Sequence, residues 1–322
     1  MTELSFENLL NKVKECGYTA IVCHRNPDPD TLGSAMGFKH ILKKLGKDAK
    51  IVCCEKLPKR LSFMTKGEEI LYDGYFSEFD SVVAVDVASP SQMGELFDHA
   101  EKVDFTIDHH GMSTRFSDFY MENCAACAQI IYKIAEGLGI ADYMEIGFYE
   151  AIYAGITGDT GCFKYSNVTD ETHLIASKIV KKNIDYAEIN RLIFDTKSVG
   201  EIAAQRVTYQ NMRLEADGKL AIITFTNQMK AENNLTEEDI GDVVNCVRQI
   251  DGVQVAVSIK QSSKLEDNYF ISSRSNCDID VAKLCAYFGG GGHTRAAGCT
   301  ITAKSKEDAE NKIISVFSRE LI

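Results

Sequence analysis

Three short apolar runs in the first third of the chain each stop at a side chain able to bind a cation. Thr19-Ala20-Ile21-Val22-Cys23 runs into His24, and Ser81-Val82-Val83-Ala84-Val85 runs into Asp86. Val103-Asp104-Phe105-Thr106-Ile107 runs into Asp108-His109-His110. Runs this short and apolar read as buried strands. Lys50-Ile51-Val52-Cys53 reads as another, and helical patterns fall over about 5–16, 32–45, 125–137, 143–154 and 170–182. Strands alternating with helices give an α/β fold with a doubly wound, mainly parallel sheet. In such a sheet the ligand crevice lies outside the carboxyl ends of the strands. His24, Asp86 and the Asp108-His109-His110 triplet should therefore converge on one edge, far apart in sequence but close in space.

The 322 residues allow two domains, each with its own core. The pattern changes past a polar, helical stretch at about 185–206. Strands are expected over 220–226, 253–260 and 269–274, the second alternating like a half-buried strand, with helices over about 236–249, 280–287 and from 305 onward. We therefore place a larger N-terminal domain at 1–190, a helical connector at 191–206 and a smaller α/β domain at 207–322.

Charge and cysteine usage narrow the classes. A net charge of −12 argues against a wide duplex-binding face, which needs a basic stripe. It leaves room for a small anion held by local cations. No run approaches the ~20 apolar residues of a membrane span, and the N-terminus lacks a basic start followed by an apolar core. Eleven scattered cysteines read as free thiols in a reducing cytoplasm.

The segment His24-Arg25-Asn26-Pro27-Asp28-Pro29-Asp30 offers an imidazole and two carboxylates on what reads as a proline-stiffened loop. Gly155-Ile156-Thr157-Gly158-Asp159-Thr160-Gly161 reads as a glycine-rich turn that puts Asp159 on a loop. With Asp86 placed to bridge, His24, Asp28, Asp30, Asp86, His109 and Asp159 suit a two-ion site of the kind that activates water and stabilises a phosphoryl transition state. Mixed imidazole and carboxylate ligation favours manganese over magnesium or structural zinc. An Asp at a strand end is by itself more often a turn former or helix cap, and His24 alone could be a satisfied, half-buried histidine. Their joint occurrence at strand ends favours the metal reading.

Other features carry less. The run 289–292 followed by His293 is either a flexible turn or a place where backbone approaches a ligand. The amides of Gly290, Gly291 and Gly292 with Arg274, His293 and Arg295 would make an anion pocket. Cys124 and Cys127 have a Cys-x-x-Cys spacing without a second pair, so buried packing is favoured. His40, His99 and His173 fall outside every cluster and read as surface or capping residues.

Taken together these motifs resemble the DHH phosphoesterase superfamily over nearly the whole chain. His24-x-x-Pro27-Asp28-x-Asp30-x-x-Gly33-Ser34 resembles its first motif, Val85-Asp86-Val87-Ala88-Ser89 its second, Asp108-His109-His110 its third, and 155–163 its fourth. Ser272-Ser273-Arg274-Ser275 and 289–298 resemble its DHHA1 domain, and the two-domain length is similar to the NrnA type. The resemblance implies His24, Asp28 and Asp86 on one manganese, and Asp30, Asp86, His109 and Asp159 on the other, with magnesium or cobalt as substitutes. It implies Asp108 as an orienting residue, His110 facing the scissile phosphate, and Arg274 and His293 gripping a terminal phosphate or sugar across a cleft. Gln129 stands where an acidic residue is common in the family, Ser113 near the position of a frequent Asn, and Lys164 where Arg is frequent.

The implied activity is hydrolysis of short oligoribonucleotides (nanoRNA) to mononucleotides, of 3′-phosphoadenosine 5′-phosphate (pAp) to AMP, or both, by a hydroxide shared between two manganese ions. Rival readings are a phosphodiesterase for a cyclic dinucleotide or its linear product pApA, and a nucleotide-binding sensor without catalysis. A homodimer is compatible with the sequence.

Overall fold

A computed structural model of the chain describes residues 4–72, 76–94, 96, 103–110, 119–121 and 123–321. It divides into two compact units, Met1–Thr196 and Lys197–Ile322.

The first unit is built on strands β1 (Thr19–Val22), β2 (Ala49–Val52), β3 (Ile70–Leu71), β4 (Ser81–Val85), β5 (Phe105–Asp108) and β6 (Phe119–Tyr120). Their order is β3-β2-β1-β4-β5-β6 and every pairing is parallel. The chain winds outward from β1 in one direction and from β4 in the other, so the switch point falls between them. Both faces are covered, which explains the unbroken apolar runs of β1, β4 and β5. Ile21, Ile51, Val83 and Ile107 pack with helices α1 (Phe6–Glu15), α2 (Pro29–Lys44), α4 (Cys127–Gly137) and α5 (Ile146–Asp159). Ala20, Val22, Val82 and Ala84 pack on the other side with Phe76, Met93 and Leu96. A short α3 (Ser62–Thr65), then α6 (Asp170–Val180) and α7 (Tyr186–Asn190), complete this unit.

Two local expectations change. The proline-stiffened loop is the start of α2: Pro29 occupies the first turn and Asp28 is the N-cap, its Oδ1 accepting from the amides of Asp30 and Thr31 at 2.9 and 3.0 Å. Proline suits the first helical position, where its missing N–H would have no intrahelical partner. Asp159 is the last residue of α5, not a loop residue, because the small and apolar residues before it are buried between helices and sustain the helix.

The second unit begins with α8 (Val199–Asn211), whose Ala204 and Val207 belong to a core under the sheet. The stretch read as a connector is thus divided, with a π-helical turn at Arg191–Asp195 in the first unit and α8 packed in the second. Strands β7 (Arg213–Glu215), β8 (Leu220–Phe225), β9 (Val255–Gln261), β10 (Asn268–Ser275), β11 (Gly291–His293) and β12 (Ala296–Thr302) form a sheet ordered β11-β12-β10-β9-β8-β7. Of these pairs β8 with β9 is parallel and the others are antiparallel. Helices α9 (Asn227–Glu232), α10 (Val243–Arg248), α11 (Val281–Ala286) and α12 (Lys306–Phe317) accompany it. The helix expected over 236–249 reduces to α10. Residues 255–259 of β9 are all buried, because α8 and α10 cover one face while α11 and α12 cover the other. The strand read as half-buried is therefore central.

The glycine run has a packing explanation in this sheet. Gly291 and Gly292 pair with Gly298 and Ala297. A Cβ on Gly290 would lie 2.2 Å from the Gly298 carbonyl oxygen and 2.4 Å from the Cβ of Cys299.

Candidate metal centre

The carboxyl ends of β1, β4 and β5 bring His24, Asp86, Asp108, His109 and His110 together. The N-terminus of α2 adds Asp28 and Asp30, and the C-terminus of α5 adds Asp159. Among the described residues, three sets of ligand atoms lie within 4.8 Å of one another: His24, Asp28 and Asp86; Asp86, His109 and His110; and Asp30, His109 and Asp159.

Asp86 links the sets. It follows β4 in the left-handed region, φ 58°, and its amide donates to the Ile107 carbonyl at 2.9 Å, tying it to β5. Its Oδ2 faces His24 Nε2 at 3.4 Å, while its Oδ1 faces His109 Nε2 at 3.5 Å and His110 Nδ1 at 3.6 Å. One carboxylate thus presents an oxygen to each side of the centre.

The imidazoles are fixed through their other nitrogens. His24 Nδ1 lies 2.7 Å from the Arg25 carbonyl and His109 Nδ1 lies 3.2 Å from the Cys124 carbonyl. Each ring then turns Nε2 toward carboxylates: His24 toward Asp28 at 3.7 Å, and His109 toward Asp159 at 3.3 Å and Asp30 at 3.7 Å. A carbonyl behind one ring nitrogen is how ligating histidines are oriented. Asp108 instead holds His110, Oδ1 to Nδ1 at 2.7 Å.

Charge balance makes the case for cations. Burial, with repulsion from neighbouring carboxylates, pushes Asp30 and Asp159 well above the ordinary carboxylate range. Burial alone would lower His24, but the Asp28 and Asp86 carboxylates outweigh it and raise it well above its ordinary value. Burial holds His109 below its ordinary value, leaving a neutral imidazole. For His110 burial is overcome by the Asp108 hydrogen bond and the charges of Asp86, Asp108 and Asp30, which take it up to about 9. Asp86 Oδ1 and His109 Nε2 are buried without a hydrogen-bond partner. Orphaned polar atoms are costly in a protein interior, and these two lie 3.5 Å apart, as two ligands of one ion would. The donor set of imidazole and carboxylate fits borderline and hard divalent ions.

Sequence reasoning missed the turn at 124–128. The amides of Cys127 and Ala128, at the start of α4, donate to Asp30 Oδ2 at 2.7 Å and Oδ1 at 2.9 Å, and Ser34 Oγ donates to Oδ1 at 3.3 Å. A backbone amide has no side-chain signature; the small residues Ala125 and Ala126 were the sole trace. Cys124 and Cys127 are themselves buried, with Cys127 Sγ donating to the Ile107 carbonyl at 3.4 Å.

The expected anion-binding residues lie in the second unit. Arg274, half-buried on β10, donates to the Ser273 carbonyl at 3.0 Å. Arg295 pairs with the exposed Asp278 at 3.0 Å, and the Gly290 amide is committed to the Cys285 carbonyl at 3.0 Å. His293 pairs through its backbone in β11, and its side chain, like His99 and Ser113, lies outside the described residues. His40 faces Glu145 at 3.7 Å and His173 stacks on Phe163 at 5.3 Å. Lys164 lies 5.7 Å over the Phe194 ring.

Two α/β units, the first with a His/Asp centre at the switch point of a parallel sheet, define a hydrolase of the metal-dependent phosphoesterase class. The chain belongs to the DHH family: the DHH family, N-terminal domain, matches residues 19–156 and the DHHA1 domain matches 217–319. It is 29% identical to the bifunctional oligoribonuclease and PAP phosphatase NrnA of Thermus thermophilus, over 94% of this chain and 89% of that protein. It is 24% identical to the protein of the same name from Bacillus subtilis, over 90% of this chain and 92% of that one. The crystal structure of an exopolyphosphatase-related protein from Bacteroides fragilis has the same fold, with a TM-score of 0.89, 23% identity, and coverage of 98% of this chain and 97% of that one.

Proposed function

We propose that the chain is a manganese-dependent phosphoesterase that hydrolyses short oligoribonucleotides to mononucleotides and converts pAp to AMP. The observation that carries this reading is the position of Asp86, one oxygen toward His24 and Asp28 and the other toward His109. The names of the relatives supply the substrates.

His24, Asp28 and Asp86 would hold one ion, and Asp30, His109 and Asp159, with Asp86 shared, the other. Bound there, divalent ions supply Lewis acidity, drawing charge from a phosphoryl oxygen and lowering the pKa of water. The chain's own groups do the rest. Arg25 and Cys124 carbonyls keep His24 and His109 in the tautomer that presents Nε2. Asp108 keeps His110 protonated near neutral pH, so His110 offers positive charge to a phosphate and a proton to a departing oxygen. Arg274, with His293, grips the substrate's phosphate or sugar, while Gly290, Gly291, Gly292 and Arg295 shape the backbone around them.

None of the eleven cysteines is in a disulfide, and no helix among the described residues is long and apolar enough to cross a membrane. The free thiols support a place in the reducing cytoplasm. The test is incubation of the purified protein and manganese with pAp, pApA, a five-nucleotide RNA, cyclic di-AMP and pyrophosphate in parallel. Mononucleotides from the RNA and AMP from pAp are expected. Selective cleavage of cyclic di-AMP would instead indicate second-messenger turnover, and binding without turnover a sensor.

A further inference from the structure

We propose that Gln129 is a positioning residue for one half of the metal centre, the half made by Asp30, His109 and Asp159, acting through the backbone turn at 124–128. This rests on the metal reading of the site.

All three members of that set are wired to the same turn. Asp30 receives the Cys127 and Ala128 amides at 2.7 and 2.9 Å. His109 Nδ1 meets the Cys124 carbonyl at 3.2 Å. Asp159 is reached through Asn167, whose Nδ2 donates both to the Ala125 carbonyl at 3.0 Å and to the Asp159 carbonyl at 3.1 Å. The contacts to Asp30 span 97 and 98 residues of sequence, so the geometry of this set depends on where the turn sits.

Gln129 locks the turn. Its side chain is fully buried. Its Oε1 accepts from the Ala125 amide at 3.2 Å and from Thr172 Oγ1 at 3.1 Å, and its Nε2 donates to Glu171 Oε2 at 3.1 Å. Glu171 is held in turn by Lys133 at 2.7 Å. One amide therefore ties the turn to the first turn of α6. The packing leaves little slack beneath Asp30: a Cβ on Gly155 would lie 2.6 Å from the Ala128 Cβ and 3.0 Å from Asp30 Oδ1.

The other half is supported locally. His24 is held by the carbonyl of its own neighbour, Arg25, and Asp28 by amides two and three residues on. Nothing in that set touches the turn at 124–128 among the described contacts. A defect in the turn should therefore weaken one ion and spare the other. Groups that orient metal ligands are worth roughly 10- to 100-fold in metal affinity.

The test is manganese binding by calorimetry, with no substrate present, in two single-site backgrounds. His24→Ala, which keeps the Asp28 cap on the Asp30 and Thr31 amides, leaves the Asp30–His109–Asp159 position, and Asp159→Ala leaves the His24–Asp28–Asp86 position. Adding Gln129→Leu is expected to weaken the remaining ion about 10- to 100-fold in the first background and less than about 2-fold in the second. Equal losses in both backgrounds, or none in either, would overturn the proposal. Asn167→Ala, an exposed change that removes both hydrogen bonds without adding charge, should act like Gln129→Leu in the first background. It takes the place of Gln129→Leu if circular dichroism shows that the buried substitution prevents folding. Failure of the unsubstituted protein to bind manganese would overturn the metal reading itself, which separates the two failures.

Discussion

Asp108 Oδ1 lies 2.7 Å from His110 Nδ1, two residues apart at the end of a buried strand. The pair sets a pH dependence. The folded pKa of His110 is raised, to about 9, above its ordinary value of 6.5. A raised imidazole contributes stability that is full below about 6.5 and is lost as pH rises through about 9. At 1.36 kcal/mol per unit, the contribution is on the order of 3 kcal/mol in the metal-free protein. Denaturation of the metal-free protein should show the gap between wild type and His110→Gln shrinking from pH 6 to pH 10. A constant gap would contradict the assignment.

Asp86→Asn separates charge from shape. Asn is tolerated at a positive φ better than most residues, so the backbone at φ 58° is kept. The lost charge both repels Asp30 and Asp159 and attracts the protonated His24 and His110, so the metal-free protein should stay close to wild type in stability. Manganese binding should fall at both positions, because both share this residue. Calorimetry and thermal unfolding read the two effects on one preparation.

Manganese binding should release protons. His24 is held protonated well above its ordinary range by Asp28 and Asp86, and an imidazole must lose its proton to ligate. Affinity should therefore rise with pH across the neutral range. Titration in buffers of different ionisation enthalpy should show at least about one proton released at pH 7. A pH-independent affinity would remove His24 from the ligand set.

In the second unit Gly290→Ala is expected to cost stability, by about 1–3 kcal/mol, because its Cβ would strike backbone of β12. Arg274→Ala should leave stability nearly unchanged and raise KM more than it lowers kcat, as for binding lost equally in ground and transition states. Thermal unfolding with steady-state kinetics distinguishes the two.

The strand ends were legible because a parallel sheet covered on both faces demands apolar runs, and the polar residue that ends each run stands out. His24, Asp86 and His109 come from that signal. Asp28 and Asp30 were visible as residues but misplaced on a loop: proline reads as a helix breaker unless it is recognised at the first helical position. The same held for Asp159, where glycines inside a buried helix read as a turn. Strands of two or three residues, such as β3 and β11, are too short to carry a period. The support of Asp30 by the Cys127 and Ala128 amides was invisible, since it is made by backbone and depends on packing across the fold.

The central claim is tested most directly by turnover of pAp and a five-nucleotide RNA, with manganese or with a chelator, by wild type and Asp86→Asn. The account predicts AMP and mononucleotides from wild type with manganese, none with the chelator, and none above background from the folded variant. Turnover that survives the chelator, or an active Asp86→Asn protein, would contradict it.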